Sequence, residues 1–178
     1  MTETTRRPGT HPFANVPLVA KAHIETPIGV MTALATAKGL AGLWFEDKQQ
    51  RIDNIDVPVD DSNRHTRAAR DWLDAFWAGR DLPISNVTLD MHGTEFQKAV
   101  WRQLITIGWG RTITYGQMAS KLGQPSASRA AGAACGKNPV GVLVPCHRVI
   151  GQSGSLTGYA GGLPRKLALL QHEGVLLT

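Results

Sequence analysis

An uninterrupted apolar run, residues 140–144, leads directly into Pro145-Cys146-His147-Arg148-Val149. A short run of this kind belongs in the interior, and its length suits a buried strand. Pro145 fixes its own φ and pushes Val144 into an extended conformation, so Cys146 is expected to leave the strand end in one orientation. The thiolate is the nucleophilic form of cysteine, and an imidazole can accept or relay its proton, so Cys146-His147 is a credible reactive pair. On adjacency alone a packed structural thiol is the simpler reading. Free cysteine is among the most buried residue types, and nucleophile and base usually lie far apart in sequence.

With 178 residues, 42% of them apolar, the chain can build one large domain or two small ones around a real core. Its two cysteines, Cys135 and Cys146, are too few and too close for a disulfide framework. They read as thiols of a reducing compartment, which points to the cytoplasm. Residues 1–12 carry Arg6 and Arg7 but no apolar stretch, so a flexible tail (residues 1–15) is expected rather than a signal peptide. No run approaches the roughly 18 apolar residues of a membrane helix, and no membrane partner is expected. A net charge of +5 and a pI of about 9.6 suit a polyanion partner, although many soluble proteins are as basic without one.

Residues 21–46 alternate as strands do, with a turn at Lys38-Gly39, and predict an antiparallel hairpin or meander. Residues 49–63 are polar and rich in aspartate, hence a loop. Ala68, Ala69, Trp72, Leu73, Phe76 and Trp77 recur at helical spacing up to Gly79. Residues 82–91 fit either another strand or an extended linker. The first half is thus a small α/β unit with no evident chemistry.

The second half is better punctuated. Thr94 with Gln97, and Thr114 with Gln117, form capping boxes that open helices stopped by Gly108 and Gly123. After Gln124-Pro125, Ser126 is expected to cap a third helix reaching about Gly136. Two short helices joined by such a turn carry a helix-turn-helix signature. The second of them has one long side chain, Arg129, among alanine, glycine and serine. It lacks the donors and acceptors that read a major groove. It suits close approach to a narrow groove, with one side chain as a wedge, or equally tight packing against the core with Arg129 solvated. Asn138-Pro139 would turn the chain into the run before Cys146, with the Asn138 amide near the thiol. Residues 151–162 hold five glycines and Tyr159, a loop able to close over a ligand, but no phosphate-loop pattern, so no nucleotide cofactor is expected. Residues 163–173 read as a final helix with Pro164 in its first turn, and Glu173 at its end could orient His147.

These residues resemble the O6-alkylguanine-DNA alkyltransferase family. The resemblance is carried in order by Gly93-Thr-x-Phe-Gln97, Tyr115-Gly116, Ser128-Arg-Ala-x-Gly132, Asn138-Pro139, Cys146-His147, Gly158-Tyr-Ala-Gly-Gly162, Arg165-Lys166 and His172-Glu-Gly174. The first 90 residues match only loosely. The resemblance implies an α/β N-terminal domain (16–91), a small antiparallel sheet plus helix, followed by a mainly helical C-terminal domain (92–178) with a helix-turn-helix. It implies binding of double-stranded DNA containing O6-alkylguanine through the minor groove, by a monomer. Arg129 would fill the place of the flipped base and Tyr115 would rotate the 3′ phosphate, with Gln124, Ser126 and Ala127 also meeting DNA. Asn138 would be a hinge, Cys146 the alkyl acceptor, and His147 its base through a water, held by Glu173. Tyr159, Ala160 and Val149 would line the base pocket.

Some family members hold a structural zinc in the N-terminal domain. This chain has no cysteine before Cys135 and no CxxC or HExxH, so no metal is expected, and the transfer needs no cofactor. Cys135 reads as a packing residue. An alkyl group on sulfur is a thioether that water does not cleave, so the protein is expected to act once, on O6-methylguanine and also on O4-methylthymine. His147 and Glu173 are expected to depress the Cys146 pKa or to shuttle its proton. A cysteine hydrolase and a non-catalytic DNA-binding module are the rival readings.

Overall fold

The computed structural model describes residues 13–48 and 55–175. Three antiparallel strands, β1 (Leu18–Thr26), β2 (Gly29–Thr36) and β3 (Leu40–Phe45), form a meander in the order β1-β2-β3. The β2–β3 connection falls at the Lys38-Gly39 turn that the sequence predicts, and the β1–β2 connection is a second turn, at residues 27–28. At the β2–β3 turn, the Thr36 hydroxyl takes the amides of Lys38 and Gly39 at 3.1 and 3.3 Å. Neither sheet edge is left bare. Lys21 of β1 bridges Val59, while on the β3 side Leu40 bridges Leu89 and Leu43 bridges Val140.

Helix α1 (Arg64–Trp77) packs on the sheet and is capped by the Asn63 side chain, which accepts from His65 N and Thr66 N. Residues 82–91 resolve as a linker: a 3-10 turn at Ile84–Asn86, then an extended piece joined to β3 by single bonds through Thr88, Leu40 and Asp90. Helix α2 (Glu95–Ile105) and helix α3 (Tyr115–Lys121) begin at complete capping boxes on Thr94 and Thr114. Gly123, at a φ of +73° that side chains rarely adopt, turns the chain from α3 towards α4 (Ser128–Gly136). Ser126 is not the cap of α4. The helix starts two residues later, Ala127 holds the N-cap position, and no side chain caps it. A two-residue strand β4 (Ile113–Thr114) pairs in parallel with β5 (Val149–Ile150), and α5 (Leu163–His172) closes the fold with Pro164 in its first turn.

The apolar run does not form a strand. Its start pairs with the sheet only as a single bridge, Val140 opposite Leu43, with the Gly141 N–H donating to Leu43 O at 2.8 Å. Residues 141–144 make a turn inside the core, with Val142 at φ +67° and a bond from Val144 N to Val140 O at 3.0 Å. Uniform apolarity records burial and is blind to conformation. Cys146–Arg148 is then one turn of 3-10 helix.

One apolar cluster runs through both halves, from Met31, Leu40 and Leu43 through Phe76, Val100, Trp101 and Met118 to Ala134 and Leu169. A smaller one includes Phe13, Leu34, Ala41 and Trp44, with Phe13 stacked on Trp44 at 5.2 Å. Phe13 therefore belongs to the folded body, although it falls within the expected tail. The rest of that tail up to residue 12, and residues 49–54 of the polar loop, lie outside the described residues. No helix among the described residues is long and apolar enough to cross a membrane.

Trp101, 1% exposed, donates its indole N–H to Ala134 O at 2.9 Å and so fastens α2 to α4. Trp101→Phe removes this donor while Ala134 O keeps its bond from Lys137 N at 3.1 Å, and is expected to cost about 0.5–1.5 kcal/mol of stability. Urea unfolding of both proteins measures it. A loss well below that range would show that packing alone joins the two helices.

Candidate active site

The turn of residues 138–144 is fixed from within. Asn138 donates from Nδ2 to Val144 O at 2.7 Å and accepts from Val140 N at 3.0 Å. Its side chain also hydrogen-bonds the Cys146 thiol. Asn138 thus spans the turn and the cysteine it delivers, which makes it a brace as well as the turn residue expected from Asn-Pro. Cys146 is 8% exposed. Burial pushes its thiol up, only partly opposed by the Asn138 bond and the positive charge of Lys166. In the resting protein the thiol is therefore protonated, so of the two expected roles for His147 a depressed resting pKa is not the one seen.

His147, fully buried, sits 2.7 Å from Glu173 Oε1 through Nε2, while its Nδ1 makes no hydrogen bond to any described residue. Burial pulls the imidazole pKa down, opposed by the bond and charge of Glu173. Burial alone would raise the Glu173 carboxyl, but bonds and charges from His147 and Arg148 bring it down to about 2. An ionised Glu173 can only accept, so Nε2 carries the ring proton and Nδ1 keeps its lone pair. Arg148 completes the arrangement. Its Nη2 and Nε meet Glu173 at 2.7 and 2.9 Å, and its Nη1 donates to Ile107 O at 2.5 Å. Glu173 Oε2 also receives Gly110 N at 3.4 Å.

Cys146 opens onto a cleft of about 260 Å³. One wall comes from Cys135, Asn138, Tyr159, Ala160 and Gly161, the other from Met31, Leu43, Trp44 and Phe45 of the sheet. Gly161 is required by closeness, since a Cβ there would stand 2.7 Å from the Tyr159 ring and 3.0 Å from Phe45. Of the expected pocket residues, Tyr159 and Ala160 line the cleft. Val149 does not: its side chain is buried and its carbonyl accepts from Lys166 Nζ at 2.6 Å. Cys135 shares the cleft, but burial first, and then competition with the Cys146 thiol for negative charge, push its thiol up to about 12.

Helix α4 packs one face of small residues against the core and leaves the opposite face exposed. Ala131, Ala134 and Cys135 pack inward, while Arg129, Ala130, Ala133 and Gly136 are exposed. Arg129 forms no hydrogen bond or ion pair with another described residue. Gln124 and Ser126 are exposed and Ala127 is half-buried. Tyr115, in the first turn of α3, donates to Thr157 O at 3.1 Å and edges an open depression that also includes Ser128 and Lys121. Two residues of the site had no role in the sequence reading, Arg148 and Lys166. Each follows another polar residue, His147 and Arg165 respectively, and precedes apolar ones, so neither stood out locally as a buried charge. Among the described residues no cluster of three or more His, Cys, Asp or Glu could hold a metal ion.

Residues 95–175 match the family model described as the DNA-binding domain of 6-O-methylguanine DNA methyltransferase. That defines the class of the second half, and full-length relatives extend it to the whole chain. The methylated-DNA–protein-cysteine methyltransferase of Mycobacterium leprae is 54% identical over 151 residues, covering 84% of this chain and 89% of the relative. The Shigella flexneri protein of the same name is 51% identical over 162 residues, covering 86% and 95%. The crystal structure of Mycobacterium tuberculosis OGT in complex with DNA is 42% identical, with a TM-score of 0.77 over 87% of this chain and 92% of that one. The chain belongs to the methylated-DNA–protein-cysteine methyltransferase family.

The Glu173 and His147 shifts have the same sign. Both folded pKa values lie below the unfolded ones, so the unfolded chain binds more protons and stability falls with falling pH. The loss is expected to begin below about pH 6.5, as unfolded His147 titrates, and to steepen between about pH 4.5 and pH 2, as Glu173 does. Urea midpoints measured from pH 8 to pH 3, with Glu173→Gln as control, test this. A midpoint no more acid-sensitive in wild type than in the variant would overturn it.

Proposed function

We propose that this chain repairs double-stranded DNA by moving the alkyl group of O6-alkylguanine onto Cys146 Sγ, once per molecule. The observation that carries the reading is the pairing of a cleft-lining thiol with an adjacent imidazole whose Nδ1 is left free by the buried Glu173–Arg148 pair. Sγ attacks the alkyl carbon, the carbon–O6 bond breaks, and its electron pair stays on the guanine. The thiol proton passes to His147 Nδ1 through a water and on to the purine, so charge balances without a metal or cofactor. The product is a thioether, which leaves no route back to the free thiol.

Residues 92–178 carry both the DNA surface and the acceptor in this reading, and 16–91 form the N-terminal domain. Helices α3 and α4 act as the helix-turn-helix of a monomer, with α4 lying in the minor groove. Its exposed strip of Ala130, Ala133 and Gly136 permits the close approach that a narrow groove demands. Arg129, without a hydrogen bond or ion pair to another described residue, is available to fill the stack vacated by the flipped nucleotide. Tyr115, Gln124, Ser126 and Ala127 meet the DNA backbone around it. Tyr159 and Ala160 then receive the extruded base, and O4-methylthymine enters the same cleft. Asn138 hinges and braces the turn behind the thiol.

After incubation with duplex DNA containing O6-methylguanine, intact mass and peptide mapping are expected to show one methyl group per chain, on Cys146. Cys146→Ser should abolish transfer and retain DNA binding. Methyl on Cys135, or many turnovers per chain, would reject the assignment, the latter in favour of a hydrolase.

Arg129→Ala should lower the duplex rate severely at saturating DNA, yet leave reaction with free O6-methylguanine base nearly unchanged, because extruding a base costs a few kcal/mol that the free base avoids. Equal losses on both substrates would mean that Arg129 supports the pocket instead.

A further inference from the structure

Lys166 is fully buried on α5, and its hydrogen bonds among the described residues all go to backbone carbonyls: Val149 O at 2.6 Å, Thr157 O at 3.0 Å and Gly158 O at 3.3 Å. No carboxylate pairs with it among the described residues. Val149 follows the 3-10 turn that carries Cys146, and Thr157-Gly158 lead into the Tyr159-Ala160-Gly161 wall of the cleft. One cation therefore fastens the far wall of the cleft to the segment that bears the thiol. Tyr115 adds a second tie, since its hydroxyl also donates to Thr157 O and its ring lies 5.9 Å from the ammonium.

A neutral amide donor could hold backbone carbonyls without the desolvation cost of a buried, unpaired charge. A cation retained in such a place marks a site where negative charge forms. The groups around it are few. The thiols of Cys146 and Cys135 both feel its charge, as does the imidazole of His147, and the Tyr115 phenol faces it from α3. Arg148 and Glu173 are paired with each other. Of these, only Cys146 must become anionic for alkyl transfer, and the same positive charge disfavours a proton on His147 and so keeps it a base.

We propose that Lys166 is a positioning residue for the alkyl transfer, clamping the cleft wall to the cysteine segment and supplying the positive charge that stabilises Cys146 as its proton leaves. This rests on the function proposed above. Burial pulls the Lys166 pKa down, while the thiols of Cys146 and Cys135 pull it back up, the reciprocal of its effect on them.

The test separates charge from bracing. Lys166→Gln keeps a donor for the carbonyls and removes the charge, whereas Lys166→Arg keeps the charge. The Cys146 thiol is titrated by its rate of alkylation with iodoacetamide from pH 6 to pH 10, with peptide mapping to exclude Cys135. The Gln variant is expected to raise the apparent thiol pKa by about one unit and to slow methyl transfer about tenfold at pH 7, with the gap closing at high pH. The Arg variant should stay within about threefold of wild type. Equal slowing by both variants at every pH would reduce Lys166 to a brace, and no slowing by the Gln variant would remove it from the mechanism. Either result overturns the proposal. If neither variant folds, lysine ¹³Cε NMR of the unsubstituted protein decides. The Lys166 signal should step at the thiol pKa in wild type and not in Cys146→Ser, and the lack of a step overturns the proposal. Because the thiol titration uses no DNA, it reads Lys166 independently. A wild-type protein that gains no methyl on Cys146 would count against the proposed function instead.

Discussion

The Glu173 carboxylate stands at the C-terminal cap of α5, where the helix dipole disfavours an anion, and it is buried. It is tolerated only because Arg148 and His147 meet it at hydrogen-bonding distance, and those two residues follow directly on Cys146. One buried charge thus joins the end of α5, the 3-10 turn of the thiol and, through Gly110 and the Arg148 bond to Ile107, the loop after α2. Removing one member of such a group leaves an unpaired buried charge, which is far costlier than the group is worth as a stabiliser. The arrangement fixes the tautomer of His147, and with it the direction in which a proton can leave the thiol.

The cleft depends on the sheet as much as on the helices. Leu43 bonds on both sides of its peptide to the stretch before the cysteine, donating to Pro139 O and accepting from Gly141 N, each at 2.8 Å. Arg165 of α5 reaches across to Asp47 and Ile28 O and lies over the Phe45 ring at 4.3 Å. Sheet and helices therefore share one apolar cluster, and the N-terminal strands supply a wall of the site rather than a detached module.

Two buried cations, Arg148 and Lys166, have different partners and different consequences. Arg148 is neutralised by Glu173 and serves the geometry of His147. Lys166 is met by carbonyl dipoles and the Tyr115 ring, with no carboxylate among the described residues, so its charge remains available to the thiols. The resting thiol stays protonated all the same, because burial outweighs both that charge and the Asn138 bond. Reactivity is thereby reserved for a state in which the proton has somewhere to go.

Local chemistry made much of this chain legible before folding. The two Thr-x-x-Gln boxes set the starts of α2 and α3 because capping is decided within four residues. The Gly123 turn and Pro164 worked in the same way, and the motifs from Gly93 to Gly174 named the family. Apolar periodicity located α1 and the meander. The run before Cys146 was misread as a strand because apolarity records only burial, and the path of a buried segment is set by its neighbours, here the bridge to Leu43 and the Asn138 clamp. The cap of α4 was misplaced because Ser126 is one of several local candidates and packing selected the start. Sequence alone determined which residues could do chemistry. Only tertiary structure decided that Glu173, 26 residues from His147, would be ionised, that the resting thiol would be neutral, and that Lys166 would be buried against the carbonyls of Val149, Thr157 and Gly158. Ionisation and charge pairing depend on burial and on distances between residues remote in the chain, which no local pattern encodes.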